Sequence, residues 1–216
     1  MAICRLDNEL WFPDPHYGEP DGLIAIGGDL SVDRLLLAYS NGIFPWYAHD
    51  IDPTPHWYCP LDRFVIFPKE IHVSHSMRQL MKKNPYRLSF NEDFDGVIEG
   101  CSTVDARDLD YGAWLSQPMI AAYRELHRMG FAASVEVWDG KELVGGLYGV
   151  CLGKGFFGES MFSLAPSASK LALIHLARTL EKVEGTLIDC QFETPHLLSM
   201  GGRHISYKEY MEIISQ

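Results

Sequence analysis

Several common sequence signatures are absent, and each absence excludes a class of protein. No stretch approaches the ~18 uncharged apolar residues that a membrane-spanning helix needs. The five cysteines are scattered without a C-x-x-C pair, which fits reduced thiols better than a secreted disulfide framework. H-E-x-x-H, zinc-type Cys/His spacing and G-x-S-x-G are also missing, so we predict neither a metal site nor a hydrolase nucleophile elbow.

Positive charge is scarce. The chain has 18 Lys and Arg against 29 Asp and Glu, a formal net charge of −11. This balance argues against a protein that coats nucleic acid through its global field, although a local basic patch and a basic substrate remain compatible with it. The first ten residues, MAICRLDNEL, lack the basic region and apolar run of a signal peptide. We therefore expect a cytoplasmic protein with no membrane partner.

The 216 residues change character along the chain. Residues 1–64 are rich in Pro, Gly and aromatic residues, with one helix predicted over Ser31–Asn41. Residues 65–130 have the pattern of an α-rich region. Helices are predicted there over Val73–Asn84, Asp93–Cys101 and Gln117–Met129.

A β-rich pattern follows. Alternation and turn residues predict three antiparallel strands over Ala133–Trp138, Leu143–Leu152 and Gly155–Ser163. A helix over Ser167–Val183 and a strand over Thr186–Phe192 come next. This is an α+β arrangement, in an order also found in N-acetyltransferase-like folds. The loop before that helix, SLAPSAS, lacks the glycines of a pyrophosphate loop, so acetyl-CoA is not expected.

Polar residues interrupt two of these apolar strands. Glu159 lies in Gly155–Ser163, and Asp189 and Gln191 lie in Thr186–Phe192. Buried carboxylates are costly unless paired, so the pattern indicates either a functional site or a structural polar network. On a regular strand Asp189 and Gln191 share a face, where the Asp can orient the Gln as a hydrogen-bond acceptor. Cys190 would face the opposite side.

Two further hypotheses stay open at this stage. A Cys190 nucleophile would need a histidine partner, for which His175 and His196 are candidates, but packing is the commoner role of such a cysteine. The sequence MRQLMKKNPYR holds the densest group of cations, which would suit phosphates or form a solvated helix face. Its members are Arg78, Lys82, Lys83 and Arg87.

Long motifs in the chain closely resemble those of the leucyl/phenylalanyl-tRNA–protein transferase family. The resemblance is collinear from about Trp11 to about Arg203. The motifs that carry it are GLIAIGGDLSVDRLLLAYSNGIFPWY, MIAAYRELHRMGFAASVEVW, LVGGLYGV, FFGESMFS, ASKLAL and LIDCQ.

The resemblance implies an activity and a fold. The family moves Leu or Phe, and Met less well, from aminoacyl-tRNA to the N-terminal amine of proteins that begin with Arg or Lys. This tags them for N-end rule degradation and uses neither metal nor cofactor. The implied fold is a small N-terminal domain, here residues 1–64, on an N-acetyltransferase-like domain, here 65–216, with a mostly antiparallel central sheet flanked by helices. We expect a monomer.

The resemblance also implies roles for individual residues. Asp189 and Gln191 match the catalytic Asp and Gln: Gln191 would accept the proton of the attacking amine, and Asp189 would orient it and stabilise positive charge. The aminoacyl pocket would be formed by Glu159, Trp114, Phe156, Met161, Leu180 and Ile188. The acceptor end of the tRNA would contact Arg78, Lys82, Lys83, Arg87 and Trp57.

Two consequences can be tested. Phe156 and Glu159 cannot face one pocket on a regular strand, so the resemblance predicts a bulge or kink near Gly158. Leu176 and Leu180 stand in place of pocket aromatics and affect pocket shape, whereas the departure at Trp57-Tyr58-Cys59 affects contact with the tRNA. The alternative function is a non-catalytic module that binds aminoacyl-tRNA or an N-terminal peptide.

Overall fold

A computed structural model describes residues 3–46, 54–108 and 115–215, excluding the side chains of 104–108. The strands are β1 (Cys4–Leu6), β2 (Leu23–Gly27), β3 (Phe44–Pro45), β4 (His56–Tyr58), β5 (Asp62–Ile66), β6 (Arg87–Phe90), β7 (Ala132–Asp139), β8 (Glu142–Leu152), β9 (Gly155–Ser163), β10 (Leu187–Asp189) and β11 (Arg203–Ser206). The helices are α1 (Val32–Ser40), α2 (His75–Lys83), α3 (Phe94–Asp108), α4 (Gln117–Arg128), α5 (Ala168–Lys182), α6 (Pro195–Ser199) and α7 (Tyr207–Ile214).

The helices α1, α4 and α5 begin and end within two residues of their predicted bounds. Ser31 accepts the Arg34 backbone N–H at the start of α1, and Ser116 accepts that of Met119 at the start of α4, as N-cap residues do. Helix α3 is longer than predicted and ends at Asp108. Within the described ranges, no helix has both the length and the apolar character needed to cross a membrane.

Within the described residues, the central sheet has seven strands in the order β11-β5-β10-β9-β8-β7-β6. Strands β7, β8 and β9 are antiparallel, as predicted. Strand β10 runs parallel to β9 because α5 forms the crossover between them. A separate four-stranded sheet has the order β1-β2-β4-β3. The architecture is therefore mixed α+β, and β5 spans residue 64, where a domain boundary was predicted.

Two hydrophobic clusters form the core. In one, Tyr39 of α1 packs with Tyr123, Tyr148 and Phe157. This cluster also contains apolar side chains of the four-stranded sheet β1-β2-β4-β3, here called the N-terminal sheet. The other contains the apolar side chains of α5 together with Phe156. Because neighbouring residues of β9, Phe156 and Phe157, belong to different clusters, the middle of this strand lies close to both.

A β-bulge interrupts the pairing of β8 with β9. Gly149 pairs with Gly158 and Tyr148 pairs with Ser160, which leaves Glu159 as the extra residue. The predicted irregularity near Gly158 is confirmed. Strict alternation along β9 is therefore wrong: Phe156 and Met161, five residues apart, pack against the same cluster.

Strand β10 is shorter than predicted. It ends at Asp189, and Gln191 lies beyond it with a φ of +63°, in the left-handed region. The expectation that Asp189 and Gln191 share the face of one strand is therefore wrong. A turn, not strand alternation, sets the position of Gln191.

Candidate active site

A cavity of about 780 Å³ opens where β9, β10, α5 and the loop after β10 meet. Its apolar wall includes Phe156, Met161, Ile188, Leu173 and Leu176. The polar residues that line it include Glu159, Ser160, Asp189, Gln191 and Glu193. An apolar cavity with a few convergent polar groups is typical of a small-ligand site.

Most of the predicted pocket residues meet at this cavity. Glu159, Phe156, Met161 and Ile188 all line it. Leu180 does not, because it lies near the end of α5, against Gly185. Trp114 lies outside the described residues.

Asp189 has a fully buried carboxylate with charged and neutral donors around it. Arg63 donates from Nε to Oδ1 at 2.9 Å and from Nη2 to Oδ2 at 2.6 Å. The hydroxyl of Tyr210 donates to Oδ2 at 2.7 Å, and the backbone N–H of Gln191 donates to Oδ1 at 2.9 Å. The Arg63 guanidinium lies between the rings of Phe44 and Tyr210, 4.7 and 4.8 Å from their centroids. This carboxylate holds the turn that carries Gln191.

Gln191 is fixed at both ends. Asp189 accepts its backbone N–H, while its side-chain Nε2 donates to Oε1 of Glu159 at 3.1 Å. Because an ionised carboxylate only accepts hydrogen bonds, the amide nitrogen faces Glu159 and the amide oxygen remains available as an acceptor. The sequence-based idea that Asp189 orients the Gln191 side chain is corrected: Asp189 holds the backbone, and Glu159 holds the side chain.

Glu159 is surrounded by neutral donors. Tyr39 donates to Oε1 at 2.7 Å and Tyr123 donates to Oε2 at 2.5 Å, and the two hydroxyls are 2.8 Å apart. Loss of hydration on burial raises the pKa of Glu159 to about 7, although the hydrogen bonds from both tyrosines lower it. A carboxyl group with a pKa near neutrality can gain or lose a proton under physiological conditions.

The predicted tRNA-binding residues occupy different environments. Arg78, Lys82 and Lys83 are exposed on α2. Arg87 is the first residue of β6, not part of a helix; it forms two hydrogen bonds with Glu92 and lies over the Trp138 ring.

Trp57 is part of the core. It has no exposed surface, its indole N–H donates to the Gly27 carbonyl oxygen at 2.8 Å, and its ring packs against Phe12. The prediction that Trp57 contacts tRNA is wrong for this reason.

Sequence reasoning missed several residues around the cavity. Arg63 and Tyr210 were not expected, because they are far from Asp189 in sequence and no spacing links them. Trp46 and Phe192 line the cavity, their ring centroids are 5.0 Å apart, and Trp46 is 44% exposed. The aromatic run IFPWY was the available signal. Among the described residues, no group of three His, Cys, Asp or Glu side chains is placed to hold a metal ion.

Two family models match most of the chain. Residues 65–215 match the leucyl/phenylalanyl-tRNA protein transferase family, and residues 28–61 match the N-terminal domain of the same family. The solved structure of L-PGS from Bacillus licheniformis superposes with a TM-score of 0.44 at 10% identity, covering 82% of this chain and 57% of that chain. That likeness is too low to carry an argument.

Curated relatives give the same family over almost the full length. The leucyl/phenylalanyl-tRNA–protein transferase of Syntrophobacter fumaroxidans is 48% identical over 100% of this chain and 91% of its own. Those of Thermodesulfovibrio yellowstonii and Pseudomonas fluorescens are 47% and 48% identical, covering 100% and 97% of this chain and 87% and 92% of theirs. The chain belongs to the leucyl/phenylalanyl-tRNA–protein transferase family.

Proposed function

We propose that this chain transfers Leu or Phe, and Met less efficiently, from aminoacyl-tRNA to the α-amino group of proteins that begin with Arg or Lys. In the cytoplasm this would tag those proteins for N-end rule degradation, with the chain acting as a monomer that needs no cofactor. The observation that carries the proposal is the apolar cavity with Glu159 and Gln191 hydrogen-bonded to each other in its lining. Family membership supplies the reaction class.

The parts of the donor fit separate surfaces. The apolar side chain of the esterified amino acid would pack against Phe156, Met161 and Ile188. The exposed ring of Trp46 offers a face on which the terminal base can stack. The exposed cations Arg78, Lys82 and Lys83 of α2 would contact phosphates of the acceptor stem. Arg87 is engaged by Glu92, so we give it no part in this contact.

The reaction is aminolysis of an ester. The acceptor nitrogen attacks the ester carbonyl carbon, a C–N bond forms, and the C–O bond to the ribose breaks. The nitrogen loses a proton and the ribose oxygen gains one. The Gln191 amide oxygen would accept a hydrogen bond from the attacking amine and so aim it at the carbonyl carbon.

An amide is too weakly basic to keep a proton, so another group has to take it. Glu159 is the candidate, since it is hydrogen-bonded to Gln191 and burial raises its pKa to about 7. It would take the proton from nitrogen and return it to the ribose oxygen. Asp189 would act through Gln191 as a positioning residue, because its own oxygens are occupied by Arg63 and Tyr210.

The fold supports the same proposal. The antiparallel strands β7 to β9, the crossover α5 and the parallel β10 follow the order expected of an N-acetyltransferase-like domain. We propose such a domain over residues 65–216, with residues 1–64 as a smaller domain to which β5 forms the connection.

The test is a transfer assay with the purified chain. Phe-tRNA or Leu-tRNA labelled in the amino acid is incubated with a peptide that begins with Arg or Lys, and we expect label in the peptide. Gln191→Asn is the variant to compare, because Asn tolerates a positive φ. Its shorter side chain cannot contact both Glu159 and the attacking amine. We expect a loss of about 10²-fold or more in kcat/KM. Asp189→Ala should also abolish transfer.

Two results would contradict the proposal. Absence of transfer with retained binding of aminoacyl-tRNA would favour the alternative, a non-catalytic binding module. Full activity of Gln191→Asn would remove Gln191 from the mechanism.

A further inference from the structure

The cavity has a third carboxylate, which the proposed chemistry does not use. Glu193 follows Gln191 by two residues and lines the same cavity, with its side chain 46% exposed. Its Oε2 is 3.0 Å from Nε2 of His204. Its Oε1 has no hydrogen-bond partner among the residues that the structure describes, although a carboxylate oxygen can accept two. Glu193 is therefore fixed by one oxygen and open to a ligand at the other.

The charges around the cavity favour a cation at this point. The lining contains the carboxylates of Glu159, Asp189 and Glu193, and no Lys or Arg is among the described residues that form it. The guanidinium of Arg63, which does not line the cavity, compensates the negative charge of Asp189. Glu159 is hydrogen-bonded by the hydroxyls of Tyr39 and Tyr123. Glu193, with 46% of its side chain exposed, is thus the lining carboxylate that neither Arg63 nor the proposed proton transfer engages.

The surroundings of Glu193 keep this site negative. The Nδ1 atom of His204 is 3.0 Å from Oδ2 of Asp62, so one imidazole lies between two carboxylates. With His204 protonated, the three groups together carry one negative charge, and with His204 neutral they carry two. In both states a cation in contact with Glu193 would be attracted.

We propose that Glu193 binds the cationic side chain of the acceptor's first residue while Gln191 holds its α-amine. This inference rests on the proposed function. The α-carbons of Gln191 and Glu193, two residues apart, are separated by at most ~7 Å. The side chain of Arg or Lys can span the same distance from its own α-carbon, so one residue can contact both. A single open carboxylate oxygen accepts from an ammonium as well as from a guanidinium, which accounts for acceptance of both residues.

The experiment compares peptides that differ only in the charge of the first side chain. Arg is paired with citrulline, its neutral analogue, and Lys with norleucine, at saturating Phe-tRNA. For the wild type we expect a higher kcat/KM with the cationic member of each pair. Glu193→Gln should reduce this preference about tenfold by raising KM for the cationic peptide, the effect of one charge-assisted hydrogen bond. The kcat/KM values for the neutral peptides and the KM for Phe-tRNA should not change.

The matched control is Glu142→Gln, an exposed glutamate at the start of β8 that does not line the cavity. This variant should leave the Arg-to-citrulline and Lys-to-norleucine ratios of kcat/KM unchanged. An unchanged Arg-to-citrulline ratio in Glu193→Gln would overturn the inference, as would an equal loss with both peptides, which would indicate positioning and not recognition. Failure of the wild type to transfer label to any peptide would instead overturn the proposed function.

Discussion

Asp189 and Glu159 are carboxylates on neighbouring strands, but their surroundings differ in kind. Asp189 receives the guanidinium of Arg63 as well as the Tyr210 hydroxyl. Glu159 receives the hydroxyls of Tyr39 and Tyr123 and the amide of Gln191, all of them neutral donors. Arg63 binds the first carboxylate directly, whereas the second is hydrogen-bonded by neutral donors alone among these contacts. Burial therefore raises the pKa of Glu159 to about 7.

This difference in surroundings suits the two carboxylates to different roles: Asp189 to structural support and Glu159 to proton transfer. A buried ion pair with several hydrogen bonds has one stable arrangement and can hold a turn in place. A carboxyl group with a pKa near neutrality can take and release a proton during each turnover. Gln191 joins the two environments, since its backbone is bound to Asp189 and its side chain to Glu159.

The largest effect is expected from removing the cation of the supporting pair. Arg63→Met leaves Asp189 buried without a compensating charge, and loss of one partner of a buried pair costs about 3–5 kcal/mol. The free energy of unfolding, measured by urea denaturation, should fall by that amount. Adding Asp189→Asn removes the unpaired charge, so the double variant should regain part of the lost stability but not transfer activity.

An exposed ion pair provides the control for this prediction. Arg128 pairs with Glu125 on α4, where the two side chains are 72% and 43% exposed. Because exposed pairs contribute roughly 0–1 kcal/mol, Arg128→Ala should change the unfolding free energy little. Similar losses for Arg63→Met and Arg128→Ala would contradict the role given to the buried pair.

A smaller effect is expected at the neutral donors of Glu159. A hydrogen bond to the ionised carboxylate lowers its pKa, so Tyr123→Phe should raise the pKa of Glu159 above about 7. One charge-assisted hydrogen bond corresponds to roughly one pKa unit. The acid limb of the pH profile of kcat/KM should therefore move to higher pH by about that amount. The unfolding free energy should fall by about 1–2 kcal/mol.

The acceptor's own α-amine also titrates near pH 8, in wild type and variant alike. The difference between the two profiles therefore isolates the effect of Glu159. A lower kcat/KM with an unmoved limb would mean that Glu159 positions Gln191 without taking the proton.

Much of the fold around the two carboxylates was accessible from local sequence signals. Helical periodicity predicted α1, α4 and α5, and alternation with a turn predicted β7 to β9. The bulge at Glu159 followed from a conflict: two residues assigned to one pocket could not share a face of a regular strand. Such predictions depend on neighbours in sequence.

Features that depend on distant partners were missed. Strand β6 has four residues, too few for a clear period, and exists through its pairing with β7. Arg63 and Asp189 are 126 positions apart, so nothing local pairs them. The burial of Trp57 follows from packing against Phe12 and the N-terminal sheet. The charge state of a site therefore needs the tertiary structure, even where its residues are recognisable.

The smallest effect is expected at Cys190, which lies between Asp189 and Gln191 and tests whether a third ionisable group takes part. Burial raises the pKa of the Cys190 thiol, and the charge of Asp189 raises it further, so the reactive thiolate is suppressed. The position contributes through its backbone, whose N–H donates to the Phe64 carbonyl oxygen at 3.0 Å.

Cys190→Ala keeps that backbone bond and should leave kcat/KM in the labelled-amino-acid assay within about twofold, since no thioester forms if the amine attacks the ester directly. Slow reaction of the native protein with a thiol reagent, measured alongside, would agree with a neutral thiol. A folded Cys190→Ala protein with kcat/KM reduced by about 10²-fold or more, together with labelled amino acid bound covalently to the native protein, would establish a thioester intermediate. The proton would then be exchanged at sulfur, and the contrast between Asp189 and Glu159 would describe only how the turn is held.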